Sequence, residues 1–327
     1  MRGTAHIAGA FTAAMALLIL APADALAHGA GASRPVFPDV LGAWSTEPTS
    51  WIAVGVALIA FVVLVARVNR AHPRNRVPAR RVVAWLAGTV VLALAVLSPI
   101  DVYADTLFTV HMVQHLLLTM VAAPLLVAGA PVTLLLRALG PGGGRARVLA
   151  LLRSGPVAVM GHPAVAWIAF AGTMWISHFS PLFDAALEDA GVHALEHALY
   201  LGVGLLFWWP VVGADPAPHR MRHAARLGYL LLGMPQNAFL GVAIYSARAP
   251  LYEHYATLAR EWGPPPLVDQ QIAGGLMWGA GDFLFLVPVL IAAASWFKAE
   301  EAEGRRVDAR LDRERRARER AAAGEPG

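Results

Sequence analysis

The 327-residue chain contains no cysteine. That excludes disulfides, thiolate redox chemistry and cysteine-based zinc or copper sites, so any metal must be held by histidine, methionine, carboxylate, amide or backbone groups. Charge is scarce as well. Only 15% of the residues are charged, while 57% are hydrophobic and ten are tryptophan; a soluble domain carries about 25% charged residues. The balance is that of an integral membrane protein. A net charge of +4 invites a nucleic-acid reading, but the basic residues lie between apolar runs and in the tail, so no nucleic-acid partner is expected.

The apolar runs set the expected architecture. Residues 1–27 resemble a secretory signal, with Arg2, an apolar stretch from Ile7 to Leu20, and Ala25-Leu26-Ala27 as a small-x-small cleavage site. An uncleaved first helix is the alternative. Seven longer apolar segments follow, at about 51–67, 82–98, 106–136, 163–179, 192–212, 227–246 and 270–297. Crossing the ~30 Å hydrocarbon core takes about 20 residues, which puts the second and fourth near the short limit. The expectation is an all-α integral membrane protein, a seven-transmembrane-helix bundle. It divides into the signal peptide, a periplasmic segment 28–50, a membrane domain 51–297 and a charged cytoplasmic tail 298–327.

Orientation follows from the basic residues. Arg67, Arg70, Arg74, Arg76, Arg80 and Arg81 crowd the first loop, and Arg137, Arg145, Arg147 and Arg153 the third. Arg220, Arg222 and Arg226 lie in the fifth, and nine more in the tail from Lys298, which makes twenty-two on one side. The other side has only Arg34, Arg248 and Arg260. The N-terminus is therefore expected outside and the tail in the cytoplasm of a bacterium, across its inner membrane. Pro124, Pro131 and Pro288 predict kinks in the third and seventh segments. Gly140 to Gly144 lacks the ending of a phosphate loop and reads as a linker. The alternating charges of Glu300 to Arg320 read as a solvated helix or a disordered arm.

Two histidine pairs stand out, His111 with His115 and His193 with His197. Residues four apart share one helix face, so each pair can grip one ion. With the chain oriented, both pairs lie near the outer ends of their segments, and His178 closes the fourth segment at the same level. Ionisable groups are costly in hydrocarbon, so five histidines from three helices at one depth point to a metal or haem site rather than to interfacial residues. His72, His162, His219 and His223 lie towards the cytoplasmic surface and read as ordinary surface residues. His28 would become the first residue after cleavage, beside a free amine able to chelate copper, although it reads more simply as the residue after the cut.

Further polar groups reach the same stratum: Gln114, Asp101, Asp105, Glu196, Asp269, Gln270 and Gln271, then Met277 and Trp278. Asp282 follows about 17 Å below Gln271 on one stripe, and so deep an aspartate is expected to face the bundle interior. Imidazoles suit copper, zinc, iron and nickel, and nearby thioethers tilt the choice towards reduced copper. A ligating histidine usually donates its second ring N–H to a carboxylate or amide. Glu196, Gln114 and Asp269 are the candidates. Taken alone, Met277 and Trp278 read as packing, and Asp282 reads equally as a structural partner.

The string His111-Met-Val-Gln-His115-Leu-Leu-Leu, with Ala-Pro124-Leu-Leu after it, resembles the CtaG-type assembly factors of caa-type cytochrome c oxidase. So do Ser177-His178 with Pro181 to Asp184, His193 to His197, Phe207-Trp208-Trp209-Pro210 and Pro250 to Tyr255. The most specific string is Asp269-Gln270-Gln271-Ile-Ala-Gly274-Gly275-Leu-Met277-Trp278. The resemblance covers about residues 40–297. It implies a role in maturing haem–copper oxidases, and the donor chemistry adds the expectation that copper is the cargo.

The expected function is thus a non-enzymatic metallochaperone holding copper on His111, His115, His178, His193 and His197, with Gln114, Glu196, Asp269, Gln270, Met277, Trp278 and Asp282 in support. Its expected partners are cytochrome c oxidase subunits, the lipid bilayer and periplasmic copper chaperones. Three alternatives stay open. One is copper transport with Asp282 as a relay, and another is a haem-binding or electron-transfer protein. The third is an intramembrane zinc protease, because His193-x-x-Glu196-His197 matches the inverted zinc-protease motif.

Overall fold

The computed structural model describes residues 33–322, which are all-helical with no strand. The signal sequence expected at 1–27 lies outside the described residues. Helix α1 spans Pro48–Ala71, α2 Ala79–Leu97, and the short α3 Pro99–Ala104. The next apolar run is built in three pieces: α4 (Phe108–Leu116), a π turn (Leu117–Ala122) leading into α5 (Ala123–Ala128), and α6 (Pro131–Leu139). Two short helices, α7 (Gly143–Leu152) and α8 (Gly155–Met160), lead to α9 (Pro163–His178) and α10 (Leu182–Glu188). Long helices α11 (Ala190–Val212) and α12 (His223–Tyr245) follow, then α13 (Glu253–Thr257) and the 57-residue α14 (Pro266–Ala322).

Among the described residues, six helical stretches are long and apolar enough to cross a membrane: α1, α2, the run Phe108–Leu139, α11, α12 and the first part of α14. The fourth expected span, α9, has 16 residues and rises about 24 Å, short of the ~30 Å core. The charged tail forms no separate arm, because α14 runs on without a break through Pro288 and out to Ala322. Its exposed surface carries ion pairs such as Arg305–Glu301 and Arg310–Glu314.

Proline explains the divided third segment. Pro124 has no N–H to donate, and in the wider π register the carbonyl five residues earlier, that of Thr119, loses its partner. The indole of Trp208 donates to that oxygen at 2.8 Å, and Thr119 Oγ1 donates back to the His115 carbonyl at 2.7 Å. The run then breaks at Ala130, which takes a left-handed φ of 56° before Pro131 starts α6. Two distant aspartates hold the ends of this run. Asp269 accepts from the backbone N–H groups of Phe108 and Thr109 at the start of α4, and Asp215 from those of Val132 and Thr133 at the start of α6.

Packing brings the polar ends together. Helices α12 and α14 cross backbone to backbone: a Cβ on Gly274 would sit 2.7 Å from the Gly241 carbonyl oxygen, the small-residue contact that membrane helices use in place of a hydrophobic driving force. Helix α4 packs on α14, while α11 packs on α9, α5 and the π turn. Fully buried Phe108, Phe183, Tyr200, Phe207, Trp208 and Phe285 fill the space between.

Candidate metal centre

Helical spacing puts His111 and His115 one turn apart on the inner face of α4, with His111 Nε2 2.9 Å from His115 Nε2. Across from them α11 presents Glu196, whose Oε2 lies 3.5 Å from His111 Nε2 and 3.7 Å from His115 Nε2. His193, nearly a turn earlier on α11, joins the group: ligand atoms of His111, His193 and Glu196 all lie within 4.8 Å of one another. His111, His115 and Glu196 are buried. A carboxylate held there needs compensating positive charge, from a proton on a neighbouring imidazole or from a cation.

Hydrogen bonds assign two of the tautomers. The Tyr255 hydroxyl donates its hydrogen to the Ala104 carbonyl at 2.7 Å, so its oxygen accepts from His111 Nδ1 at 3.0 Å. His111 is left with a lone pair on Nε2, facing Glu196. His178 Nδ1 lies 2.7 Å from the Met174 carbonyl, which can only accept. Its Nε2 therefore carries a lone pair, and that atom is buried without a hydrogen-bond partner.

It has company. His115 Nδ1, His193 Nε2, His197 Nε2 and both Glu196 carboxylate oxygens are likewise buried without hydrogen bonds. Leaving a buried polar atom unpaired costs about 1–3 kcal/mol. Such a concentration of unpaired atoms is the signature of a site completed by an ion or ordered water. A nitrogen and carboxylate donor set fits a borderline transition metal.

The five histidines meet in tiers rather than at one point. The His193 ring lies 5.4 Å from His111 and 4.2 Å from His197, on the side nearer the helix mouth. His178 stands 6.0 Å from His115 on the far side. Between them Phe183 lies 5.0 Å from His111 and 5.3 Å from His178, while Tyr200 packs 4.0 Å from His115. Ser177, whose own hydroxyl hydrogen goes to the Thr173 carbonyl at 2.8 Å, accepts from the Tyr200 hydroxyl at 2.6 Å, fixing that wall.

A family model described as "Cytochrome c oxidase caa3 assembly factor (Caa3_CtaG)" matches residues 59–299. The chain belongs to the Caa3_CtaG family. An uncharacterized protein of Mycobacterium leprae is 34% identical over 268 residues, 80% of this chain and 40% of that protein. Uncharacterized proteins of Mycobacterium bovis and Mycobacterium tuberculosis are each 31% identical over 286 residues, 85% of this chain and 42% of theirs. The chain thus spans about two-fifths of the length of these curated relatives. No solved structure matches it.

In this Caa3_CtaG protein the supporting residues expected from the sequence separate into distinct roles. Only Glu196 stands among the imidazoles. Gln114 turns away, donating to the Ala95 carbonyl and to Asp101. Burial pushes the Asp101 carboxyl up to about 6. Asp269 caps the helix that carries His111 and His115, and Arg260 lies 3.4 Å from its carboxylate. Gln270 ties the loop after α12, accepting from Leu251 N and donating to the Ile244 carbonyl. The Met277 carbonyl accepts from Asn237, which also reaches Asp282 at 3.5 Å. Asp282 lies about 20 Å along α14 from Asp269, whereas His115 lies about 10 Å along α4 from Phe108, so this aspartate sits deeper than the imidazoles. Trp278 is half exposed.

Two tyrosines in contact with the cluster were not expected as part of a site, Tyr255 and Tyr200. Tyr200 carried a signal, since it sits four residues after Glu196 on the same helix face. Tyr255 carried one only as part of the string Pro250 to Tyr255.

Proposed function

We propose that this protein takes up copper on His111, His115, His193 and Glu196, with His178 and His197 as flanking donors, and passes it to a cytochrome c oxidase subunit during assembly of the haem–copper enzyme. The observation that carries this reading is the buried carboxylate between converging imidazole nitrogens, ringed by polar atoms without partners. Family membership supplies the oxidase. Copper, as cargo, must bind and leave, and a centre in tiers offers successive nitrogen donors for stepwise exchange.

The charge distribution supports placing the centre towards the outer face of a bacterial inner membrane. On this reading α9 is a short seventh span, the residues before Ser33 include a signal peptide, and periplasmic copper chaperones and oxidase subunits are the partners. Zinc suits the same donors. The protease alternative has less support: Glu196 lies against His111 and His115 as a donor or counter-charge, rather than standing over a water held by His193 and His197. Convergence within 3.7 Å favours an ion over a haem, whose axial ligands must leave room for the macrocycle.

Metal analysis of the purified protein after copper loading tests the proposal. The expected result is bound copper that is lost in His111→Ala and in His193→Ala variants that still fold. Wild-type protein that retains no copper, or variants that retain it fully, would overturn it.

A further inference from the structure

A cavity of about 340 Å³ lies beside the centre, at the end of the bundle where α3 and α11 begin. Its walls include Ser45 and Glu47 before α1, Asp101 and Asp105 of the α3 region, and His193 and His197 of α11. At about 30 Å³ per water, it has room for roughly ten waters, enough for a metal ion with its hydration shell. Three carboxylates line it, and among the described lining residues there is no lysine or arginine.

Its inner wall is what distinguishes it from an acidic surface hollow. His193 and His197 both present a buried Nε2 without a hydrogen-bond partner. His193 also belongs to the group with His111 and Glu196. One residue therefore faces the cavity and shares the centre behind it.

We propose that this cavity is the entry port for the metal, an inference that rests on the copper-handling reading above and adds the route. A hydrated copper ion is drawn in by Glu47, Asp101 and Asp105, since carboxylates in a low-dielectric cleft concentrate cations and repel anions. His197 is the first nitrogen donor and His193 the second, and each displaces one water from the ion without any change of oxidation state. His193 then delivers the ion to His111, His115 and Glu196. The port is thus an aqueous approach along the bundle axis, separate from any lateral exit to an oxidase subunit.

The absence of cysteine gives a clean test. Thr49→Cys places one thiol on the cavity wall, and Leu311→Cys places one on the exposed tail as a control. Each full-length variant is purified, reacted with a bulky maleimide, and loaded with glycine-buffered copper(II) while uptake is followed in time. Labelled Thr49→Cys is expected to load at least about tenfold more slowly than its unlabelled form while reaching the same final copper content, with labelled Leu311→Cys unaffected. Glu47→Gln and Asp101→Asn together are expected to slow loading about tenfold, by an amount that shrinks as salt is raised. Equal rates with and without the label in protein that binds copper would overturn the port alone. So would a Thr49→Cys thiol that resists labelling in folded protein. Wild-type protein that takes up no copper would instead overturn the copper reading on which the port rests.

Discussion

Thr109 and Asp269, 160 positions apart in the chain, are joined through both backbone and side chain. The Thr109 N–H and hydroxyl donate to the same Asp269 carboxylate oxygen at 3.1 and 2.6 Å, and the hydroxyl also reaches the Asp269 carbonyl. The cap of the helix that carries two of the histidines is thereby supplied by the start of α14.

Removing that carboxylate leaves the N–H groups of Phe108 and Thr109 without acceptors, reduces the Thr109 hydroxyl to its bond with the Asp269 carbonyl, and takes the counter-charge from the buried Arg260 guanidinium. Asp269→Ala is expected to cost about 3 kcal/mol, in the range for breaking a buried charged network. Thr109→Val keeps the backbone bond and is expected to cost about 1 kcal/mol. Thermal unfolding of the two variants in the same detergent checks the order. Equal losses would show that the cap does not hold α4.

Tyr255→Phe removes the oxygen that accepts from His111 Nδ1. The imidazole loses both its tautomer bias and its fixed orientation, as when the outer partner of a ligating histidine is removed. Copper affinity measured by competition is expected to fall about 10- to 100-fold, and the Ala104 carbonyl and His111 Nδ1, left without their partner, are expected to cost about 1–3 kcal/mol of stability. An unchanged dissociation constant would remove Tyr255 from the site.

The crossing of α12 and α14 predicts a sharp contrast between two identical substitutions on one helix. A Cβ at Gly274 meets the Gly241 carbonyl and the Tyr245 backbone at 2.7 Å, whereas one at Gly279 meets nothing within 4 Å. Gly274→Ala is expected to lose about 3 kcal/mol. Gly279→Ala is expected to be neutral or to gain up to about 1 kcal/mol from helix propensity. Comparing the two melting temperatures is sufficient, and similar values would refute the close approach.

Asp101 gives the metal-free protein a pH dependence. Burial raises its carboxyl from 3.8 to about 6, so between these values the folded chain binds the proton more tightly than the unfolded chain. Its contribution is fully present below about 3.8 and is lost as pH rises through about 6. Asp101→Asn is therefore expected to melt higher than wild type at pH 7.5, with the difference shrinking by pH 5. A difference that is constant across this range would mean that burial does not govern this carboxyl.

The histidine pairs were readable from the sequence because helical periodicity alone puts residues four apart on one face, and hydrophobic length alone located their helices. Glu196 was equally accessible, three residues from His193. What holds those histidines and their helix in place was harder to read. Tyr255 and Asp269 reach α4 from segments more than 140 positions away, and spacing along the chain carries no record of such contacts. Gln114 misled for the opposite reason: adjacency to His115 suggested a shared task, but neighbouring helical residues point about 100° apart, and Gln114 faces Ala95 and Asp101. The prolines predicted a disturbance at 124 and 131 but not its form, which depends on Trp208 supplying the missing donor.

The π turn directly below His115 has a consequence for which lengths of this segment can work. It fits one more residue into the run than a regular α-helix would over the same rise. Deleting a single residue between Leu117 and Ala122 would restore regular winding with the two halves still in their present phase, whereas a deletion from the regular helix on either side would rotate one half of the run by about 100° against the other. Either His111 and His115 would swing away from Glu196, or the lower half would turn its buried Leu126 and Val127 out of the core. The phase of the helix that carries His111 and His115 is thus set by the number of residues beneath it as much as by their identity.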